Sequence, residues 1–156
     1  MHEYFMEQAI MEAKKALEFD EVPVGAVIVL DGEIIGRGFN KRETSADPTA
    51  HAEMIAIREA ARCLGSWRLT NTRLYVTLEP CPMCAGAIVN ARIHTLVYGV
   101  ADPKAGAVSS LMNLVQDSRL NHRVEVIDGV CRETCGKLLK DFFSSLRKQA
   151  KDNQER

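Results

Sequence analysis

An unbroken apolar run at positions 24–30 is followed at once by Asp31-Gly32 and a second extended-type stretch over 33–39. A run without polar interruption suits a strand buried on both faces, so the chain must supply covering layers above and below it. Asp-Gly is the dipeptide of a two-residue hairpin, whose central residues both need positive φ. The sheet therefore starts as an antiparallel pair. Upstream, Met6, Ile10, Ala13 and Leu17 recur at helical spacing and predict an amphipathic helix over 3–19.

The rest of the chain alternates. The Asp47-Pro48 pair opens a helix that runs to about Leu64 and stops at Gly65. A strand follows at 74–78, a helix at 81–91, a strand at 94–100, a turn-rich loop at 102–106 and a short helix at 109–115. A last strand covers 123–127, and a closing helix runs from 132 to about 150 with Leu138, Leu139, Phe142, Phe143 and Leu146 on its apolar side. Strands interleaved with helices predict a layered α/β fold around one mixed sheet of about five strands. The 156 residues form one domain, 1–156, of which 151–156 read as a flexible polar tail.

The net charge of −1 argues against wholesale binding to a polyanion and leaves room for a local basic patch. The N-terminus has no basic segment followed by an apolar one, and no apolar run approaches the roughly 20 residues of a membrane span. A cytoplasmic protein without membrane contact is expected. Five cysteines, an odd number, argue against a disulfide framework. Cys131 and Cys135 share a helical face and read as small apolar residues; Cys81 and Cys84 are the close pair at metal-ligand spacing.

Cys81 and Cys84 sit in Pro80-Cys81-Pro82-Met83-Cys84, and His51 with Glu53 in His51-Ala52-Glu53. Cysteines three apart on the first turn of a helix point to one side, and the prolines place Cys81 at a helix start, where partial positive charge favours thiolates. With His51 they make one imidazole and two thiolates, three zinc ligands that leave a tetrahedral position for water. Glu53 is then free to move protons. Residues two apart do not share a helical face, so His51 has to lie at the very start of its helix if both are to reach one metal.

At these residues the chain resembles the cytidine-deaminase-like zinc deaminases and, within them, the bacterial tRNA adenosine deaminase (TadA) family. The likeness runs from Val22-Pro23-Val24-Gly25-Ala26 through Asn40, Pro48-Thr49-Ala50-His51-Ala52-Glu53 and Gly65-Ser66-Trp67-Arg68-Leu69. It continues over Leu78-Glu79-Pro80-Cys81, Cys84-Ala85-Gly86, Ser110-Leu111-Met112-Asn113-Leu114, Asn121-His122-Arg123 and Phe142-Phe143. The zinc motif selects the superfamily; the segments after Val100 select the tRNA-acting branch. The resemblance implies a three-layer α/β/α fold, a homodimer, one Zn2+ per subunit, and conversion of adenosine to inosine at the wobble position of a tRNA anticodon stem-loop. No DNA partner is expected. His51, Cys81 and Cys84 are the implied ligands, Glu53 the proton carrier, and Asn40, Ala52, Asp102, Lys104 and Arg147 the substrate-contacting set.

Two alternatives stay open. Pro82 stands where many tRNA deaminases carry an aliphatic residue, and the Pro-Cys-Pro-Met-Cys string also suits guanine deaminases, so a small-base deaminase is one. An RNA-binding module with a closed structural zinc is the other. Each featured side chain also has an ordinary reading: Asn40 as a turn residue, Asp102 as a solvated loop acid, Trp67 as packing, His94 and His122 as surface imidazoles, and Arg147 as a helix-end cation.

Overall fold

The computed structural model describes residues 1–154; Glu155 and Arg156, the end of the expected polar tail, lie outside the described residues. Helix α1 (His2–Leu17) precedes the hairpin of β1 (Gly25–Leu30) and β2 (Glu33–Phe39). Then come α2 (Ala52–Leu64), β3 (Arg73–Leu78), α3 (Pro82–Asn90), β4 (Thr95–Val100), β5 (Glu125–Ile127) and α4 (Arg132–Gln154). The strands form one mixed sheet in the order β2-β1-β3-β4-β5. β1 is antiparallel to β2 and β3, whereas β3, β4 and β5 run parallel.

The hairpin turns at Asp31 and Gly32, with φ of 50° and 80°, the positive values that a two-residue turn of this kind requires. β1 is buried on both faces, as its unbroken apolar run predicts. Ala26 and Ile28 face one core, with Leu74, Val76, Leu96, Ala56 and Ile88. Val27 and Val29 face the other, with Phe5, Met6, Tyr75 and Val97. Helices α2 and α3 thus cover one face, α1 and α4 the other, giving three layers. α2 lies directly on β2: a Cβ on Gly38 would meet Ala52 O, and would lie 2.9 Å from Ala56 N.

Three expectations fail by more than two residues. α2 begins at Ala52, not at Asp47-Pro48, because Asp47 caps a local turn instead, accepting from the Thr49 amide at 2.8 Å and hydroxyl at 2.7 Å. The helix expected at 109–115 is irregular chain. The Leu114 amide, which a helix would pair with Ser110 O, pairs instead with Ala107 O at 3.0 Å, while the amides of Val108, Ser109 and Ser110 converge on the side chain of Glu79 at 3.1, 2.8 and 3.0 Å. α4 continues past Ala150 to Gln154, four residues into the segment read as a tail.

The topology gathers chain ends at one sheet edge. Leu78 and Val100 pair at the C-terminal ends of the parallel strands β3 and β4, the place where α/β sheets open their ligand crevices. Gly25, where β1 begins, pairs with Phe39, where β2 ends. The Gly25 amide also donates to Thr77 Oγ1 at 3.2 Å. The segments before β1, after β2, after β3 and after β4 therefore surround one crevice.

Candidate active site

Two helices aim their N-termini into that crevice. His51 is the N-cap of α2, in extended conformation at φ −76° and ψ 154°. Cys81 is the N-cap of α3, at φ −75° and ψ 173°, with Pro82 as first helical residue. This resolves how His51 and Glu53 address one point: the cap residue lies outside the helical spiral, while Glu53 is already in the first turn. Cys84, one turn into α3, is fully buried.

His51 Nδ1 lies 3.5 Å from the sulfurs of both Cys81 and Cys84. The three ligand atoms all fall within 4.8 Å of one another, a His/Cys/Cys group positioned to hold a metal. The electrostatics match that task. The Cys81 thiol is drawn down to about 4, first by the hydrogen bond from Cys84 and then by His51. The Cys84 thiol is pushed up by the same hydrogen bond and by burial. One negative charge is thus shared between two sulfurs, and a divalent cation would allow both to ionise.

Glu53 is 4% exposed. Burial pushes its carboxyl up to about 7, with the negative Cys81 adding to the effect. An acid poised near neutrality is suited to taking and returning protons.

The crevice above these residues encloses about 620 Å³. His51, Ala52, Glu53 and Cys81 line it, as do Asn40, Asp102, Lys104 and Arg147, so every sequence-predicted residue but the buried Cys84 reaches its wall. Asn40 also serves locally: its amide donates to Val22 O at 3.3 Å, and its oxygen accepts from the Arg42 amide at 3.1 Å. Asp102 Oδ1 accepts from the Lys104 and Ala105 amides at 3.1 and 3.2 Å, and its second oxygen has no hydrogen-bond partner among the described residues. His94 is tied to Thr95 Oγ1 at 2.7 Å and His122 to Ile93 O at 2.8 Å, so neither imidazole joins the sulfurs. Trp67 is exposed beside Arg68 and Arg92, away from the crevice lining.

The family model for MafB19-like deaminases matches residues 1–147. A tRNA-specific adenosine deaminase of Bacillus subtilis (strain 168) is 56% identical over 149 residues, covering 96% of this chain and 92% of that protein. The chain belongs to the tRNA-specific adenosine deaminase family. A solved structure from work on A-to-I editing by tRNA:A34 deaminases at the wobble position of transfer RNA is 48% identical, with a TM-score of 0.84 over 87% of this chain and 99% of the other. A guanine deaminase structure, also from Bacillus subtilis, matches 65% of this chain and 65% of its own at 46% identity and a TM-score of 0.62.

As a member of the tRNA-specific adenosine deaminase family, the chain carries residues at the crevice that sequence reasoning passed over. Arg42, Glu79, Leu139 and Phe143 line it. Phe143 and Leu139 belong to the apolar side of α4, a pattern that shows a packed face without showing what lies opposite. Glu79 is 2% exposed and held down to about 2 by hydrogen bonds from Ser110, Ser109 and Asp102, which outweigh its burial. The one local hint was an acid at the end of an otherwise apolar strand.

Proposed function

We propose that the protein is a zinc-dependent hydrolase that deaminates adenosine to inosine at the wobble position of a tRNA anticodon. The observation that carries this reading is the near-neutral Glu53 carboxyl buried beside the His51, Cys81 and Cys84 donors, at the floor of a crevice with cationic walls.

Zinc fits the donor set. Bond lengths of about 2.1 Å to nitrogen and 2.3 Å to sulfur in tetrahedral geometry imply a nitrogen-to-sulfur separation of about 3.6 Å, and His51 Nδ1 stands 3.5 Å from each sulfur. A bound zinc ion supplies an acidified water and an electrophilic centre. The protein's own part is proton traffic and placement. Glu53 accepts the proton of the attacking water and passes protons to the purine ring nitrogen and the departing ammonia. Asn40 and the Ala52 backbone orient the extruded nucleotide. The free oxygen of Asp102 accepts a ribose 2′-hydroxyl, a group that only RNA offers. Lys104 and Arg147 meet flanking phosphates. The base of a single-stranded anticodon loop is cheaper to extrude than one in a duplex.

The guanine deaminase reading has support in the partial structural match and in the Pro82 string. A neutral free base, however, gives Arg42, Lys104 and Arg147 nothing to pair with, whereas an oligonucleotide does. A closed structural zinc needs a fourth protein ligand, and among the described residues the cluster offers three. We place the enzyme in the cytoplasm as a homodimer; no helix among the described residues is long and apolar enough to cross a membrane, and the exposed Leu111 and Met112 beside the crevice loop give a second subunit apolar surface to cover.

The deciding assay offers an anticodon stem-loop with adenosine at the wobble position, free guanine and free cytidine side by side, with inosine, xanthine and uridine followed. Inosine from the stem-loop is expected. Turnover of guanine without the stem-loop would overturn the reading.

A further inference from the structure

The wall of the crevice formed by residues 101–110 has no regular secondary structure, and it is not held by a strand or helix of its own. It is wrapped around one side chain. Glu79 Oε1 accepts the Asp102 amide at 3.0 Å and the Ser110 hydroxyl at 2.5 Å. Oε2 accepts the amides of Val108, Ser109 and Ser110 at 3.1, 2.8 and 3.0 Å. Five donors thus converge on a carboxylate that offers about four lone-pair sites, and among the described residues Glu79 makes no other side-chain hydrogen bond. Main-chain bonds fix its register, from the Glu79 amide to Val100 O and from the Ala107 amide to Pro80 O, both 2.9 Å. The packing leaves no slack, since a Cβ on Gly106 would run into the Glu79 carboxylate itself.

Two residues after Glu79 comes Cys81, at the metal-binding end of α3. The loop that Glu79 grips begins with Asp102, Pro103, Lys104 and Ala105, the part of the wall that faces the crevice. Glu79 therefore links the chemical centre, two residues along the chain, directly to the Asp102 end of the wall that lines the crevice.

We propose that Glu79 is a positioning residue for substrate recognition, setting the distance of the Asp102–Lys104 wall from the metal-binding centre so that a polynucleotide chain is held with its base over Glu53. The proposal rests on the tRNA reading above for its substrate class. The hydrogen-bond pattern also says how the device fails. In Glu79→Gln, an amide oxygen at the Oε2 position keeps three backbone donors, and the Ser110 hydroxyl can turn to accept from the new NH2. The Asp102 amide then faces another donor and is released, and Lys104 and Ala105, which hang on Asp102 Oδ1, follow it.

Two measurements on the metal-loaded full chain test this. Amide hydrogen exchange should rise about tenfold or more at 102–105 in Glu79→Gln, the loss of one partly buried hydrogen bond to a charged acceptor, with the first turns of α2 and α3 unchanged. Steady-state kinetics on the anticodon stem-loop should show KM raised about tenfold, with kcat within about threefold and one metal per chain retained. Unchanged exchange at 102–105, a fall in kcat without a KM change, or loss of metal would overturn the positioning role. If Glu79→Gln does not fold, Ser110→Ala removes one of the five donors and should raise KM about two- to threefold at constant kcat; an unchanged KM sinks the proposal. If the wild-type chain itself ignores the stem-loop, the tRNA reading fails, while the exchange contrast still decides whether Glu79 sets the wall.

Discussion

Replacing Glu53 by Gln should kill the enzyme and strengthen its metal-free fold in one step. The carboxyl is 4% exposed, and burial raises it from 4.5 to about 7. A folded-state pKa above the unfolded one means that the native protein binds more protons between those values. Stability conferred by the group therefore falls as pH rises from about 4.5 to about 7, and stays low above that window. A rise of about 2.5 units at 1.36 kcal/mol each makes the ionised Glu53 a burden of about 3 kcal/mol on the metal-free protein at pH 8. Gln fills the same space without the charge.

Chemical unfolding of chelator-treated protein should thus show Glu53→Gln more stable than wild type at pH 8, by up to about 3 kcal/mol, with the gap closing towards pH 4.5. In parallel, kcat on the stem-loop should drop by roughly 10² to 10⁴, the usual contribution of a general acid–base group, with KM and metal content kept. A variant that stays active, or one less stable than wild type at pH 8, would refute the assignment of Glu53 as a buried proton carrier kept for chemistry.

Three other outcomes are expected. Arg147→Ala should weaken stem-loop binding and reduce the slope of log K against log salt by about one, as the proposed single phosphate contact of the exposed, crevice-lining Arg147 requires; an unchanged slope would remove it from the interface. Gly38→Ala forces a Cβ against the α2 backbone at Ala52 O and Ala56 N; overpacking costs about 1–3 kcal/mol, which lowers Tm by several degrees in thermal unfolding, and an unchanged Tm would mean that α2 yields freely. Metal-stripped protein treated with iodoacetamide near pH 6 should be alkylated at Cys81, whose thiol lies down at about 4, and only slowly at the buried Cys84. Peptide mapping reads the order, and faster labelling of Cys84 would reverse the charge assignment.

What the sequence disclosed follows the range of the interactions involved. The hairpin at Asp31-Gly32, the αL cap at Gly65 with φ of 62° and the both-face burial of β1 depend on neighbours in the chain, so they are visible in it. The His51, Cys81 and Cys84 set is legible because ligand chemistry restricts residue type and because prolines mark the start of α3. The helix expected at 109–115 fails for a long-range reason. The Leu114 amide pairs with Ala107 O, off the helical register, in a loop whose Ser109 and Ser110 amides are held by Glu79 about thirty residues upstream, and no local pattern announces that. For the same cause Glu79 stands in a recognised motif without a role of its own, and the crevice-facing side of α4 showed as apolar spacing without a partner.

Glu79 has a counterpart across the crevice, and together they explain how loops with so little regular structure can shape a site. Glu21 is fully buried and accepts the Glu43 and Thr44 amides at 3.1 and 2.7 Å, pinning the segment that follows Asn40. Each clamp spends a buried carboxylate on backbone donors, which keeps its charge satisfied without apolar packing. A loop fixed from behind by such a group does not need its own side chains to hold it down. Arg42 on one wall and Lys104 on the other are left free to face what enters, while the rigid N-termini of α2 and α3 hold the reacting groups. Changes in Arg42 or Lys104 should therefore alter which substrate is held while leaving the metal centre intact, whereas changes in Glu21 or Glu79 should move a whole wall.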